Sequence, residues 1–427
     1  LTNEDRLILK LCKSGASDDV IVSLLRGEKI DWSYFLHIIV EQEVAPFVLS
    51  RLLEYPLPPD ADDLLRAAAK REIVAAAATR STMLAELRKV HAALEREGIE
   101  FILLKGLSLD FSELRTMKDL DILVREDRYI EAIRALGTID YEFVGQYRTA
   151  LMKRGETRML MAAIESPVLD EEKRARVLSA LRWNNHYPVF SAKTNLLVEI
   201  HSNLFESRRL YTEQIDGVLE NMALFWREKR HDSTLGCYTL SNEHALLLMG
   251  VHLAIKRSPA NNMFVLKLAC DIDGLIRRGI RWEHFIGTVC KMRVEPFILY
   301  ALLQTQQLLD TPLAGGWLRR LEKRCTKAQL LLIRIHLKCL RSLDSYRLVY
   351  SKVYTICKAF VFESRPEHRL KWFFLIPILF PSKRRMAAIF NIRKDSPLIY
   401  LTYMINPFRW IVLIVRSTIR WKNESNI

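Results

Sequence analysis

Apolar positions in the first 97 residues recur at helical spacing. Leu7, Ile8 and Leu11 form one set and Val20, Ile21, Leu24 and Leu25 another, with Gly15 and Gly27 punctuating them. A long helix is predicted from Ala61 to Glu97, through the run Ala75–Ala78, and Gly98 closes it where a positive φ is commonly needed. The period then changes. Ile99 to Leu104 is a short apolar run rich in β-branched and aromatic residues, which predicts a buried strand. It ends in a turn at Lys105-Gly106, and a short helix is expected from Leu107 to about Leu114. Asp119-Leu-Asp-Ile-Leu-Val124 alternates before turning apolar, as a strand with one functional face does. A helix over Asp127–Leu136, a strand at Tyr141–Val144 and further strands between Pro188 and His201 complete a small mixed α/β core.

From about 213 to 345 the pattern is helical again, with helices expected from Asn242 through His252 and at Lys267–Arg277, Trp282–Cys290 and Pro296–Leu309. The predicted class is α+β, mostly helical, with a small mixed sheet between two helical regions. The expected units are 1–97 (helical), 98–205 (α/β core), 206–345 (helical) and 346–427 (a basic, aromatic-rich tail).

Composition narrows the functional classes. Half of the 427 residues are apolar, enough for a sizeable core and too many for a disordered chain. The net charge of +14 is uneven: from Tyr346 to Ile427 there are 15 basic and 4 acidic residues. Trp372-Phe-Phe374, Lys383-Arg-Arg385 and the stretch Pro407–Lys422 mix basic with aromatic residues. Such a tail suits the headgroup boundary of an anionic membrane, single-stranded nucleic acid less so, or a helical cover with its cations turned outward. The longest apolar run, Trp372–Pro381, has ten residues, short of a membrane span. Seven cysteines without a CxxC pair and the polar start Thr2-Asn-Glu-Asp5 lead to an expected location in the cytoplasm, with the inner face of the membrane as a peripheral alternative.

The chemistry concentrates in one stretch. Side chains two apart on a strand share a face about 6.5–7 Å apart, so Asp119 and Asp121 can jointly hold a divalent cation such as Mg²⁺, which takes oxygen ligands and shares them with substrate phosphates. Two ions about 4 Å apart clamp the attacking and leaving oxygens of an in-line displacement. Glu199, flanked by apolar neighbours on a later strand, fits as the third carboxylate, since a buried charge requires a partner. Gly106 lets the backbone approach a triphosphate, Ser108 adds a hydroxyl, and Lys105 and Arg115 can neutralise phosphate oxygens. His201, on the same face as Glu199, reads as a hydrogen-bonded structural histidine, and Asn242-Glu-His244 as a helix start.

This order of strand, glycine turn, DxD strand and acidic strand resembles the nucleotidyltransferase superfold. More narrowly it is similar to the bacterial uncharacterised nucleotidyltransferase family, through Phe101-Ile-Leu-Leu-Lys-Gly106, Arg115-Thr-Met-Lys-Asp-Leu-Asp-Ile-Leu-Val124, His186-Tyr-Pro188 and Val198-Glu-Ile-His201. Asp31-Trp32, Val44-Ala-Pro46, Asn242-Glu-His244, His252, Asp271-Ile-Asp273 and Trp282 match in the flanks, so the resemblance covers about 20–345. It implies metal ligation by Asp119, Asp121 and Glu199, with Glu199 also a candidate base, and a phosphate turn at Gly106 and Ser108. The implied reaction moves a nucleoside monophosphate from an NTP, by expectation ATP, to an unidentified hydroxyl or phosphate acceptor with two Mg²⁺ ions. Leu107 stands where the superfold has a second Gly or Ser. A catalytically silent nucleotide-binding scaffold and a nucleic-acid module acting through the tail are the rival readings.

Overall fold

The computed structural model describes residues 2–15, 17–27, 29–109, 114–143, 186–191, 193–205, 217–256, 265–338, 396–398 and 400–406. The indistinct segment 146–185 lies outside them. So does the tail apart from 396–398 and 400–406, and with it the membrane and nucleic-acid readings. No helix among the described residues is long and apolar enough to cross a membrane.

Four short helices open the chain: α1 (Asn3–Cys12), α2 (Asp18–Gly27), α3 (Trp32–Glu41) and α4 (Ala45–Leu52). Local chemistry sets their starts. Thr2 and Asp5 form a reciprocal capping box, Asp31 accepts the Tyr34 N–H at 3.0 Å, and Pro46 occupies the first turn of α4. The predicted long helix is α5 (Asp62–Arg96). Its first half buries Leu65, Ala68 and Ala69 among the other helices, whereas its second half buries Met83, Leu87, Val90 and Leu94 against the sheet. It therefore acts as a strut joining two cores. Gly98 has φ +61° after it, as its place in the sequence predicts, and a Cβ there would touch nothing within 4 Å.

The sheet has seven strands in the order β3-β4-β5-β2-β1-β7-β6. These are β1 (Phe101–Leu103), β2 (Asp119–Val124), β3 (Glu142–Phe143), β4 (His186–Ser191), β5 (Leu196–His201), β6 (Arg230–Asp232) and β7 (Cys237–Thr239). At its centre β2 runs antiparallel to β1 and parallel to β5. Helix α6 (Tyr129–Gly137) follows β2, and the Tyr129 hydroxyl donates to the Ile200 carbonyl at 2.7 Å. Two expectations need correction. Of the helix expected from Leu107 to about Leu114, the described part is a 3-10 turn, Gly106–Leu109, and 110–113 lie outside the described residues. The stretch beyond 205, read as helical, contributes the β6–β7 hairpin, and β7 pairs in parallel with β1, so the sheet extends past the expected core boundary.

Strand alternation sorts the sheet faces. Leu120, Ile122 and Val124 of β2 and Leu196, Val198 and Ile200 of β5 pack with α5 and α6. The opposite face carries Asp119, Asp121 and Leu123 beside Leu197, Glu199 and His201, and Leu123 joins the core of the helical region. That region combines α1–α5 with α7 (Met222–Arg227), α8 (Asn242–Lys256), α9 (Val265–Arg277), α10 (Trp282–Lys291), α11 (Glu295–Leu309), α12 (Gly315–Glu322) and α13 (Lys327–Lys338). One continuous core includes Leu7, Phe35 and Leu49 from before the sheet and Leu247, Ile272 and Phe297 from after it. The two helical regions are thus interleaved. Helix α8 is apolar around most of its circumference because α9, α10 and α11 all pack on it.

Because only backbone conformation constrains residue 98, Gly98→Ala should cost about 1–2 kcal/mol, the left-handed penalty for an L-residue. Chemical denaturation measures this, and an unchanged midpoint would count against the bridging role of the α5–β1 turn.

Candidate active site

The alternation of β2 and β5 brings two of the predicted carboxylates side by side. In the parallel register Asp121 lies directly opposite Glu199, and Asp119 is one pleat earlier on the same face. Asp121 is fully buried, while the side chains of Glu199 and Asp119 keep 19% and 31% of their surface exposed. A fully buried carboxylate between two more accessible ones requires cations nearby.

Two residues of the chain supply positive charge. Gly106, with φ +73°, turns the chain out of β1 and lets Lys105 reach across to β2. Lys105 Nζ lies 3.0 Å from Asp121 Oδ2 and 3.8 Å from Asp119 Oδ2. Burial alone would lower the lysine's proton affinity, but the charges of Asp121, Asp119 and Glu199 outweigh it and raise its pKa, keeping the ammonium protonated. On the other side His201 Nε2 is 3.0 Å from Asp121 Oδ1 and 3.7 Å from Glu199 Oε2. Here too burial opposes the charged form, and the hydrogen bonds to Asp121 and Glu199 prevail, pushing the pKa up to about 9. The reading of His201 as a hydrogen-bonded histidine agrees with this contact, but its partner is the central carboxylate itself. Asp121, Glu199 and His201 each place one ligand atom within 4.8 Å of the others, while Asp121 Oδ2 faces the Lys105 ammonium at 3.0 Å. Two carboxylates and an imidazole within reach of one another are a donor set that fits a divalent cation, with Asp121 and Glu199 offering the oxygens and Asp119 one pleat away on the same face.

The remaining predicted residues divide. Ser108 is half-buried in the 3-10 turn beside Gly106, and Leu107 points into the core beneath the sheet, which explains an apolar residue at that place. Arg115 is close enough to Asp119 and Asp121 to feel their charge, yet its guanidinium is engaged bidentately with Asp271 of α9, through Nε and Nη2 at 2.8 Å each. The pair anchors the segment before β2 to the helical region.

Arg115 and Asp271 also line an open pocket, together with Ser14, Glu43, Phe47, Lys267 and Asp273. Glu43 pairs with both Lys267 and Lys118, and these cations hold its carboxyl below the usual range although burial works the other way. Asp271 and Asp273 line the pocket, and His252 is not among the residues of its wall. Asp273 is engaged by Thr311 at 2.6 Å and Arg277 at 2.7 Å. The expected helix start at Asn242 is present, capped by Ser241, whose hydroxyl accepts the His244 N–H at 3.3 Å.

The model of the uncharacterised nucleotidyltransferase family matches residues 28–310, which take in the whole sheet and part of each helical region. The chain belongs to that family. Nothing among curated proteins or among solved structures matches it. The membership covers Lys105-Gly106, the DxD strand and the Glu199 strand alike, so this nucleotidyltransferase family chain carries its acidic face inside the matched region.

His201 gains its proton affinity from Asp121 and Glu199, so it should stay charged at pH 7.5 in metal-free buffer and titrate near 9. A histidine pKa raised on folding contributes stability that is complete below its unfolded value of about 6.5 and is lost as pH rises through about 9. In Asp121→Asn the opposing effect of burial remains, and the His201 pKa should fall well below 9. Histidine NMR titration reads both, and an unshifted midpoint in the variant would remove Asp121 as the cause.

Proposed function

We propose that this protein transfers a nucleoside monophosphate from an NTP, with ATP the expected donor, to an acceptor bearing a hydroxyl or phosphate. The observation that carries the reading is the juxtaposition of Asp121 with Glu199 across adjacent parallel strands, with Asp119 on the same face and Lys105 above them. The acceptor oxygen forms a bond to the α-phosphorus, the α–β phosphoanhydride bond breaks, and pyrophosphate leaves. Asp119, Asp121 and Glu199 would hold Mg²⁺, which when bound would neutralise charge at the phosphates. Glu199, partly exposed, takes the acceptor proton. Lys105, already protonated at the carboxylates, has the charge to pair with phosphate oxygens, and Gly106 lets main chain come close to them. Catalysis on this reading is positioning and electrostatics, with no covalent enzyme intermediate.

The pocket containing Arg115, Lys267 and Asp271 is the acceptor's place on this reading, since Arg115 belongs to the segment leading into the DxD strand. Its mixed charges suit a polar acceptor with groups of both signs. Lys267→Met should then raise the amount of acceptor-containing cell extract needed for half-maximal turnover, with NTP affinity unchanged.

Asp121→Asn should lower NTP-dependent pyrophosphate release by at least about 100-fold, the scale of losing one transition-state electrostatic partner. Calorimetric titration of the wild type with a non-hydrolysable ATP analogue and Mg²⁺ separates binding from turnover. Wild-type activity in the variant would refute the metal-holding role, and nucleotide binding without turnover in the wild type would favour the silent scaffold.

A further inference from the structure

Three helix ends converge away from the acidic face, at the junction of α7, α8 and α10. Glu228 caps the end of α7, His244 lies in the first turn of α8, and His284 lies in the first turn of α10. One ring nitrogen of each histidine and a Glu228 oxygen lie within 4.8 Å of one another. Glu228 Oε2 is 2.7 Å from His284 Nε2 and 3.5 Å from His244 Nε2. In a tetrahedral zinc site with bonds of 2.0–2.2 Å, neighbouring ligand atoms stand about 3.3 Å apart, so the two distances bracket the required spacing.

A second observation points the same way. His244 is fully buried, and neither of its ring nitrogens has a hydrogen-bond partner among the described residues. Its ring leans on Phe225 with centroids 4.5 Å apart, so packing alone would be served by an apolar residue. A buried imidazole with both nitrogens unpaired is costly, and a cation bound between it and Glu228 removes that cost. The other two ligands are prepared for such an ion. Glu228 is steadied by Arg227, whose Nη2 donates to Oε1 at 3.1 Å, leaving Oε2 to face the histidines. The His284 side chain is 36% exposed, so solvent can supply a fourth ligand from that side.

We propose that Glu228, His244 and His284 bind one zinc-class divalent cation, which ties the ends of α7, α8 and α10 together. Two imidazoles and one carboxylate select zinc over magnesium, the reverse of an all-oxygen site. This site is independent of the nucleotidyl-transfer reading, because no ligand is shared with the acidic face.

The test uses the full-length chain stripped by a chelator and titrated with Zn²⁺ against a chromophoric competitor, with bound metal counted by mass spectrometry. Wild type and Asp121→Asn should each hold one equivalent that His284→Gln and Glu228→Gln lose by at least about 100-fold, since even losing an outer partner of a metal ligand costs 10–100-fold. Zinc should also raise the thermal unfolding midpoint of the wild type and leave those two variants unmoved. Unchanged zinc affinity in both variants, or loss of the equivalent in Asp121→Asn, would overturn the assignment. If a substitution prevents folding, Co²⁺ added to the Asp121→Asn chain decides: visible bands of a four-coordinate site support the proposal, and their absence refutes it.

Discussion

The register between β2 and β5 is the constraint on which the rest of the active face depends. Parallel pairing sets Asp121 opposite Glu199 and Leu123 opposite His201. Strands lie about 4.8 Å apart, so the two carboxylates cannot avoid each other. Such a pair in a buried setting survives only if cations are built in with it. Lys105 and the protonated His201 take that part on either side of Asp121. A slip of one residue would turn Asp121 into the apolar layer under α5 and α6 and expose Leu120 and Ile122 in its place. Burial of the apolar face therefore selects the register that also sets Asp121 beside Glu199.

The same face explains why the helical region is assembled from both ends of the chain. Leu123 contributes to the core that joins α1–α5 with α8–α11, and Arg115 on the approach to β2 grips Asp271 on α9. The acidic face is consequently held by a helical body whose parts precede and follow it in sequence. Helix α5 adds a rigid link, because one end packs in that body and the other beneath the sheet. The pocket at Arg115 lies on the seam between Glu43 and Phe47 from the first half and Lys267 and Asp271 from the second.

Much of this was legible from local pattern. Asp119-Leu-Asp121 and Val198-Glu-Ile-His201 alternate strictly, and a period of two announces which side chains share a face. Gly98 and Gly106 both adopt positive φ where the change of element required it. Other features had no local signal. β6 and β7 are three residues each, and Arg230-His-Asp232 is polar, so no alternation marks them; they form because β1 offers an open edge. The Arg115–Asp271 pair spans 156 residues, and an isolated arginine beside a DxD motif reads equally well as a phosphate ligand. Leu107 looked like a departure from a phosphate turn, yet its side chain serves the sheet core from a position whose backbone still turns.

The contrast between the two histidine environments follows from how each neighbourhood answers burial. His201 sits against two carboxylates on one strand face, and their charge keeps it protonated despite its burial. For His244 burial dominates, the Glu228 carboxylate at 3.5 Å is too distant to offset it, and the pKa falls to about 4. The first histidine is thereby a cation that balances Asp121 and Glu199, while the second is a neutral imidazole without a hydrogen-bond partner among the described residues. Two residues of one kind, each close to a glutamate, thus reach opposite protonation states through distance and the number of carboxylates. That difference follows from the strand pair in one case, which sets two carboxylates against the ring, and from three helix ends in the other, which bring one carboxylate no closer than 3.5 Å.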